Sequence, residues 1–223
     1  MPQQINKKFF IFLLLFLFLG TITNKNLNQT KFLKVNHINV SGLDNLENNK
    51  ILEDLKFLKN QNIFLINKKK IFELMNSNNL IETYSVFKKY PSTIELEVKE
   101  TNYLALISKN GKNYFFGSNG KLIEVKYDDS ELPFIYGNFK KTDFFELKEI
   151  LETFQFEFRN IKNLFYFPSG RWDLEMKSGI LIKLPKKKLK DSIELSLKIL
   201  KENSFQNIKT LDLRQNNLII VNE

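Results

Sequence analysis

A chain of 223 residues with no cysteine, one histidine and a formal charge of +9 at pH 7 holds no disulfide frame, no Cys-ligated metal and no Cys–His catalytic pair. A hydrophobic content of 43%, with 22 phenylalanines, excludes global disorder. The positive charge sits on lysines spread over polar faces, and its functional reading is weak attraction to anionic lipid or an acidic partner.

The first element is the stretch FFIFLLLFLFL, Phe9 to Leu19, behind Lys7 and Lys8. Extended to Thr23, it makes a helix about 22 Å long, against a bilayer core of roughly 30 Å. That length also suits the apolar region of a signal peptide. Snorkelling by Lys7 and Lys8, and the lack of a small-residue cleavage pattern in Gly20 to Lys25, favour a retained anchor over residues 9–23. A cleaved signal and a buried core helix are the alternatives, although a core helix rarely lacks a polar face. The basic flank puts residues 1–8 in the cytoplasm and the body across the membrane, with Lys25 and Lys31 weakening the asymmetry.

Residues 24–33 read as a linker. Lys34 to Gly42 predicts a strand and turn carrying His37, read as a strand residue rather than a ligand or base. Asn45 to Asn60 predicts a helix with Ile51, Leu52, Leu55 and Leu58 inward. Asn67 caps a second helix, Lys68 to Ser77, with Ile71, Phe72 and Met75 inward. Its first turn holds three lysines, which the helix dipole disfavours. Leu80 to Phe87 predicts a strand, Tyr90-Pro91-Ser92 a turn, and Thr93 to Lys99 a strand with Ile94, Leu96 and Val98 buried against a wet face of Glu95, Glu97 and Lys99.

At this point KVNHINVSG, NIFLI and KKYPSTIELEVKE together resemble the POTRA domain of the FtsQ/DivIB family of bacterial cell-division proteins. The family's Tyr-Pro-x-Thr hairpin stands here as Tyr90, Pro91, Thr93, Ile94, Leu96, Val98 and Glu100. The family's following Arg and Pro are absent, while Glu100 and Ala105 are kept. The resemblance continues through a hairpin at Asn113 to Val125, with Asn119-Gly120 expected in a type I′ turn. It includes Leu132-Pro133-Phe134-Ile135-Tyr136-Gly137 and a helix at Thr142 to Phe154. Trp172 to Met176 follows, with Asp173 and Glu175 on its polar side, and then Gly179 to Leu184, where Pro185 replaces the usual Gly. A basic helix at Lys187 to Glu202, the run Leu211-Asp212-Leu213-Arg214 and a strand at Leu218 to Val221 complete it. The implied fold class is α+β: an N-terminal transmembrane helix, a βααββ POTRA domain at 34–101, and a mixed, mostly antiparallel β domain with flanking helices at 102–223.

No catalytic constellation is legible. A Ser-His-Asp triad would have to use His37, Glu95 and Glu97 lie on a wet face, and no phosphate loop or metal spacing appears, so no cofactor is expected. Lys186 to Lys188 reads as a solvated start to a helix, and nucleic acid and small molecules are not expected as partners. The resemblance implies a non-enzymatic scaffold in the bacterial inner membrane: single-pass, with the body in the periplasm and at the division septum. It implies binding to an FtsB–FtsL pair through the end of the β domain. The expected contact set is Arg214, Gln215, Asn216, Asn217, Leu218, Ile219, Ile220 and Val221, with the last strand as a free sheet edge. Asp212 and Arg214 share a face, as an ion pair or as a polar rim. Rival readings are a POTRA-bearing outer-membrane chaperone, a cleaved soluble periplasmic binding protein, and a secreted hydrolase with His37 as base.

Overall fold

The computed structural model describes residues 7–22, 33–125, 131–201, 208–215 and 218–222. The chain divides into two compact units, 1–100 and 101–223.

The first unit holds α1 (Lys7–Ile22) and a three-stranded domain. After Lys7 and Lys8, residues 9–18 of α1 are all apolar and all exposed. Among the described residues no helix is long and apolar enough to cross a membrane. The domain runs β1 (His37–Ser41), α2 (Asn45–Asp54) with a 3₁₀ turn at Leu55–Leu58, α3 (Lys68–Ser77), β2 (Ile81–Lys89) and β3 (Thr93–Glu100). β3 is central, parallel to β1 and antiparallel to β2. Ile94, Leu96 and Val98 bury one face of β3 against Ile51, Leu55, Leu58, Ile71 and Met75 of the helices. Asp44 caps α2 through Glu47 N–H, and the Asn67 carbonyl oxygen of the side chain caps α3 by accepting from the N–H groups of Lys69 and Lys70. Phe72, expected inward, is exposed, and Leu74 takes the third inward place on α3. Helix geometry explains this: 71, 74 and 75 share a face, whereas 72 is turned about 100° from 71.

The second unit is a nine-stranded mixed sheet with helices on one face. In chain order it holds β4 (Tyr103–Lys109), β5 (Lys112–Gly117), β6 (Leu122–Glu124), β7 (Phe134–Tyr136), α4 (Lys141–Thr153), β8 (Ile161–Tyr166), β9 (Trp172–Met176), β10 (Leu181–Lys183), α5 (Leu189–Lys201), β11 (Thr210–Asp212) and β12 (Ile220–Asn222). The spatial order is β12-β11-β10-β9-β8-β7-β4-β5-β6. Three of its pairings are parallel and five antiparallel. Val221, Leu211, Ile182, Leu174, Leu164, Ile135 and Ile107 form one in-register row across seven strands. They share a core with Phe144, Leu147 and Leu151 of α4 and Ile193 and Ile199 of α5. Trp172 is buried there, its ring 4.7 Å from Tyr166 and 5.9 Å from Phe139.

The type I′ turn falls elsewhere than expected. Asn110-Gly111, joining β4 to β5, has both residues at positive φ, 53° and 74°, opposite the Lys109–Lys112 pair. At Asn119-Gly120 only the glycine is left-handed. There a Gly120 N–H to Gly117 C=O bond and a Gly117 N–H to Lys121 C=O bond close a three-residue loop.

Candidate functional site

The C-terminal end of the sheet concentrates exposed apolar groups and buried charge. β11 supplies the scaffold: it is parallel to β10 on one side and antiparallel to β12 on the other. β12 pairs on one side only, at the end of the sheet as described. The opposite edge is β6, where Glu124 is tied to Lys112 at 2.8 Å. The β12 edge instead opens on three half-exposed aliphatics, Leu218 and Ile219 just before it and Ile220 as its first residue, at 49%, 42% and 44% exposure. An apolar edge of this kind is a template for another chain's backbone.

Of the expected contact set, Arg214 and Gln215 leave β11, Leu218 and Ile219 precede β12, and Ile220 and Val221 lie within it. Asn216 and Asn217 fall outside the described residues. The strand starts at Ile220 rather than Leu218. Val221 sits opposite Leu211 and its side chain packs on the core face of the sheet. Gln215, Leu218 and Ile219 line a groove of about 290 Å³ with Leu213, Pro185 and α5 residues including Asp191 and Leu195. Leu195 was not foreseen. It is 37% exposed, on the flank of α5 turned towards the groove rather than the core.

The face of the sheet opposite the helices carries a charged row. In register across four strands stand Ile220, Asp212, Lys183 and Asp173. The Arg214 guanidinium grips Asp212 with two nitrogens: Nε donates at 2.8 and 3.0 Å, and a terminal NH₂ donates at 2.5 Å. The Arg214 backbone N–H also donates to Asp212 at 3.1 Å. The shared face read from the sequence is thus an ion pair. This hydrogen bonding holds the Asp212 carboxyl below its ordinary value of 3.8, outweighing its burial. Asp173, expected on a wet face, is 4% exposed. Burial pushes its carboxyl up, against the opposing pull of Arg171, Arg214 and Lys183. Arg171 Nε lies 3.5 Å from it, too long for a well-formed hydrogen bond, while the guanidinium stacks 3.9 Å over Phe167. Register alone brings residues 173, 183 and 212 together, and no local pattern announces it.

Other sequence candidates are dispersed. His37 is exposed on β1, opposite Thr93. Glu95 is paired with Lys89 at 2.5 Å, and Glu97 is exposed. Lys186 to Lys188 are exposed ahead of α5, which starts at Leu189. Among the described residues no three His, Asp or Glu side chains form a metal-binding group.

Residues 33–101 match the family model for the POTRA domain, FtsQ-type, and residues 105–214 match that for the cell division protein FtsQ/DivIB C-terminal domain. The chain belongs to the FtsQ/DivIB family of cell division proteins. It is similar to the cell division protein FtsQ of Rickettsia bellii, 26% identical over 187 residues, covering 82% of this chain and 70% of that protein. FtsQ of Rickettsia felis is 25% identical over 216 residues, covering 93% and 80%. The cell division protein DivIB of Clostridium acetobutylicum is 32% identical over 105 residues, covering 47% and 42%. Among solved structures, the major extracytoplasmic domain of DivIB from Geobacillus stearothermophilus, in its trans isomer, is similar at 17% identity and a TM-score of 0.32. That likeness covers 43% of this chain and 87% of that one.

Proposed function

We propose that this FtsQ/DivIB chain is a non-catalytic adaptor of the division machinery, tethered to the inner membrane by α1. In this reading its body lies in the periplasm at the division septum, and the β12 edge takes up an FtsB–FtsL-like pair. The observation that carries the reading is the one-sided pairing of β12 beside Leu218, Ile219 and Ile220. A partner strand laid on that edge gains main-chain hydrogen bonds. The aliphatics and the groove beside Leu195 give it an apolar anchor, and Arg214, half-exposed while held by Asp212, gives it a fixed cation at the rim. The test is co-purification of the full chain, in detergent, with a two-helix FtsB–FtsL fragment. It is compared with a chain shortened to end at Gln215. Capture by the full chain and loss on shortening are expected; equal capture by both would overturn the edge model.

A second reading has one observation in its favour. α1 has 16 residues, about 24 Å at 1.5 Å per residue, short of a bilayer core. On that reading the segment is removed on export and a soluble periplasmic binding protein remains. Sequencing the mature N-terminus decides between them, since a start near residue 21–25 supports removal.

A further inference from the structure

The first domain is lopsided. One end of it gathers the 62–66 loop, the 90–92 turn, the N-terminus of α3 and the end of β2. The loop sequence NIFLI sends Ile63 and Ile66 into the core and leaves Phe64 and Leu65 in solvent, at 55% and 76% exposure. The Phe64 ring stacks 5.1 Å from that of Tyr90, itself 59% exposed. This end is also where the chain enters the domain. Ile63 N–H donates to Leu33 C=O at 2.9 Å, Asn60 N–H to Val35 C=O at 3.0 Å, and Asn36 N–H to Ser92 C=O at 2.8 Å. The apolar tip therefore lies within two or three residues of the backbone bonds that fix Leu33 to Asn36. Ten residues separate Leu33 from the end of α1 at Ile22, a reach of at most about 35 Å.

The charge is lopsided in the same sense. Lys34, Lys59, Lys68, Lys69, Lys70, Lys88 and Lys89 belong to this end with Glu73 and Glu95 among them, whereas Asp44, Glu47, Glu82 and Glu100 share the other end with Lys50 and Lys99. Lys89 is paired with Glu95, Lys69 with Glu73, and Lys70 lies over the Phe57 ring. Lys34, Lys59, Lys68 and Lys88 have no acidic partner among the described residues. Lysines in the first turn of α3 cost helix stability, so a helix-based account does not explain them.

We infer that this end of the domain docks on the membrane surface, with Phe64, Leu65 and Tyr90 at the headgroup boundary and the surrounding lysines on anionic phospholipid headgroups. The inference rests on α1 lying in the same membrane. Aromatic and aliphatic knobs ringed by lysine are the chemistry of interfacial binding, and each lysine near an anionic surface adds about fivefold in affinity. The short span from α1 holds the tip near the lipid, so the contact needs little affinity of its own.

The chain has no cysteine, so single cysteines can be placed at will. Full-length Leu65→Cys, Leu46→Cys and Leu14→Cys, each carrying an environment-sensitive dye, are reconstituted in phosphatidylethanolamine–phosphatidylglycerol vesicles containing nitroxide-labelled lipid. Leu46 is as exposed as Leu65 but begins α2 at the opposite end, and Leu14 reports on α1. Quenching at 65 and not at 46 is expected, and Lys68→Glu should reduce it about fivefold or more in anionic vesicles. That change favours the α3 dipole, so unfolding does not account for a loss. Quenching at 14 alone overturns the docking and leaves the anchor standing. Quenching at 65 without 14 removes the anchor, and with it the tether on which the docking rests, so it overturns the inference in favour of untethered binding to lipid. Equal quenching at 65 and 46, or a dye shift at 65 that follows protein concentration rather than quencher lipid, overturns the proposal in favour of adsorption or a protein partner. Absence of quenching at all three positions sinks both.

Discussion

Gly42 offers the sharpest test of how the first domain is built. It follows β1 at φ +110°, and a Cβ there would lie 1.7 Å from the Val98 carbonyl oxygen and 2.7 Å from its carbon. Both contacts are to backbone, so no side-chain rotation relieves them, and β1 and β3 must separate by more than about 1 Å. The left-handed conformation costs an alanine about 1–2 kcal/mol. Parting the strands next to the Ser41–Glu97 pair weakens one or two ladder bonds, at about 1 kcal/mol each. Gly42→Ala should therefore destabilise the domain by about 2–4 kcal/mol. The whole stability of a 69-residue domain is about 3–10 kcal/mol. Segment-resolved hydrogen exchange is the assay. Amides of β1 and β3 should lose protection, while those of β8 to β11, in a separate core, should keep theirs. Unchanged protection in β1 and β3 would refute the reasoning.

Ile220→Lys should separate binding from folding. Ile220 is 44% exposed, so the change costs about 1 kcal/mol in a thermal melt, while a buried contact with a partner would be weakened about thirtyfold in a titration. The two carboxylates of the charged row should give opposite pH dependences in melting temperature. Asp212 is depressed, so its contribution is complete above 3.8 and disappears as pH falls through the lowered value; Asp212→Asn should flatten that acid limb. Asp173 is raised, so the folded chain holds its proton longer, stability falls as pH rises from 3.8 through the raised value, and Asp173→Asn should flatten that fall. Asn67→Ala removes an acceptor for two α3 N–H groups and should cost about 1 kcal/mol by denaturant unfolding.

Sequence pattern found most elements of the first domain because β3 is wet on one face and its helices have one apolar stripe each. It found less of the second. β4 reads Tyr103-Leu104-Ala105-Leu106-Ile107, buried on both faces at Ala105 and Leu106, so no alternation marks it as a strand. β8 lacks alternation for the same reason, with Leu164 buried and Phe165 half-buried on the other side. The two Asn-Gly pairs are indistinguishable as dipeptides, and only the strand register decides which forms the tight turn. At the site, the last strand was legible as an apolar run, but LIIV has no period from which the inward residue could be chosen. Sheet order, which puts β12 outermost, follows from the parallel β10–β11 pairing and cannot be read from chain order.

The sole tryptophan has a practical consequence. Trp172 sits in the core of the second unit, whereas the aromatics of the first are Phe and Tyr alone. Intrinsic emission excited at the red edge therefore watches only half of the molecule. A melt followed that way would pass Gly42→Ala as wild type while its first domain had already come apart. Any screen of variants in this chain needs a second optical channel, such as far-ultraviolet dichroism, before a substitution is scored as silent.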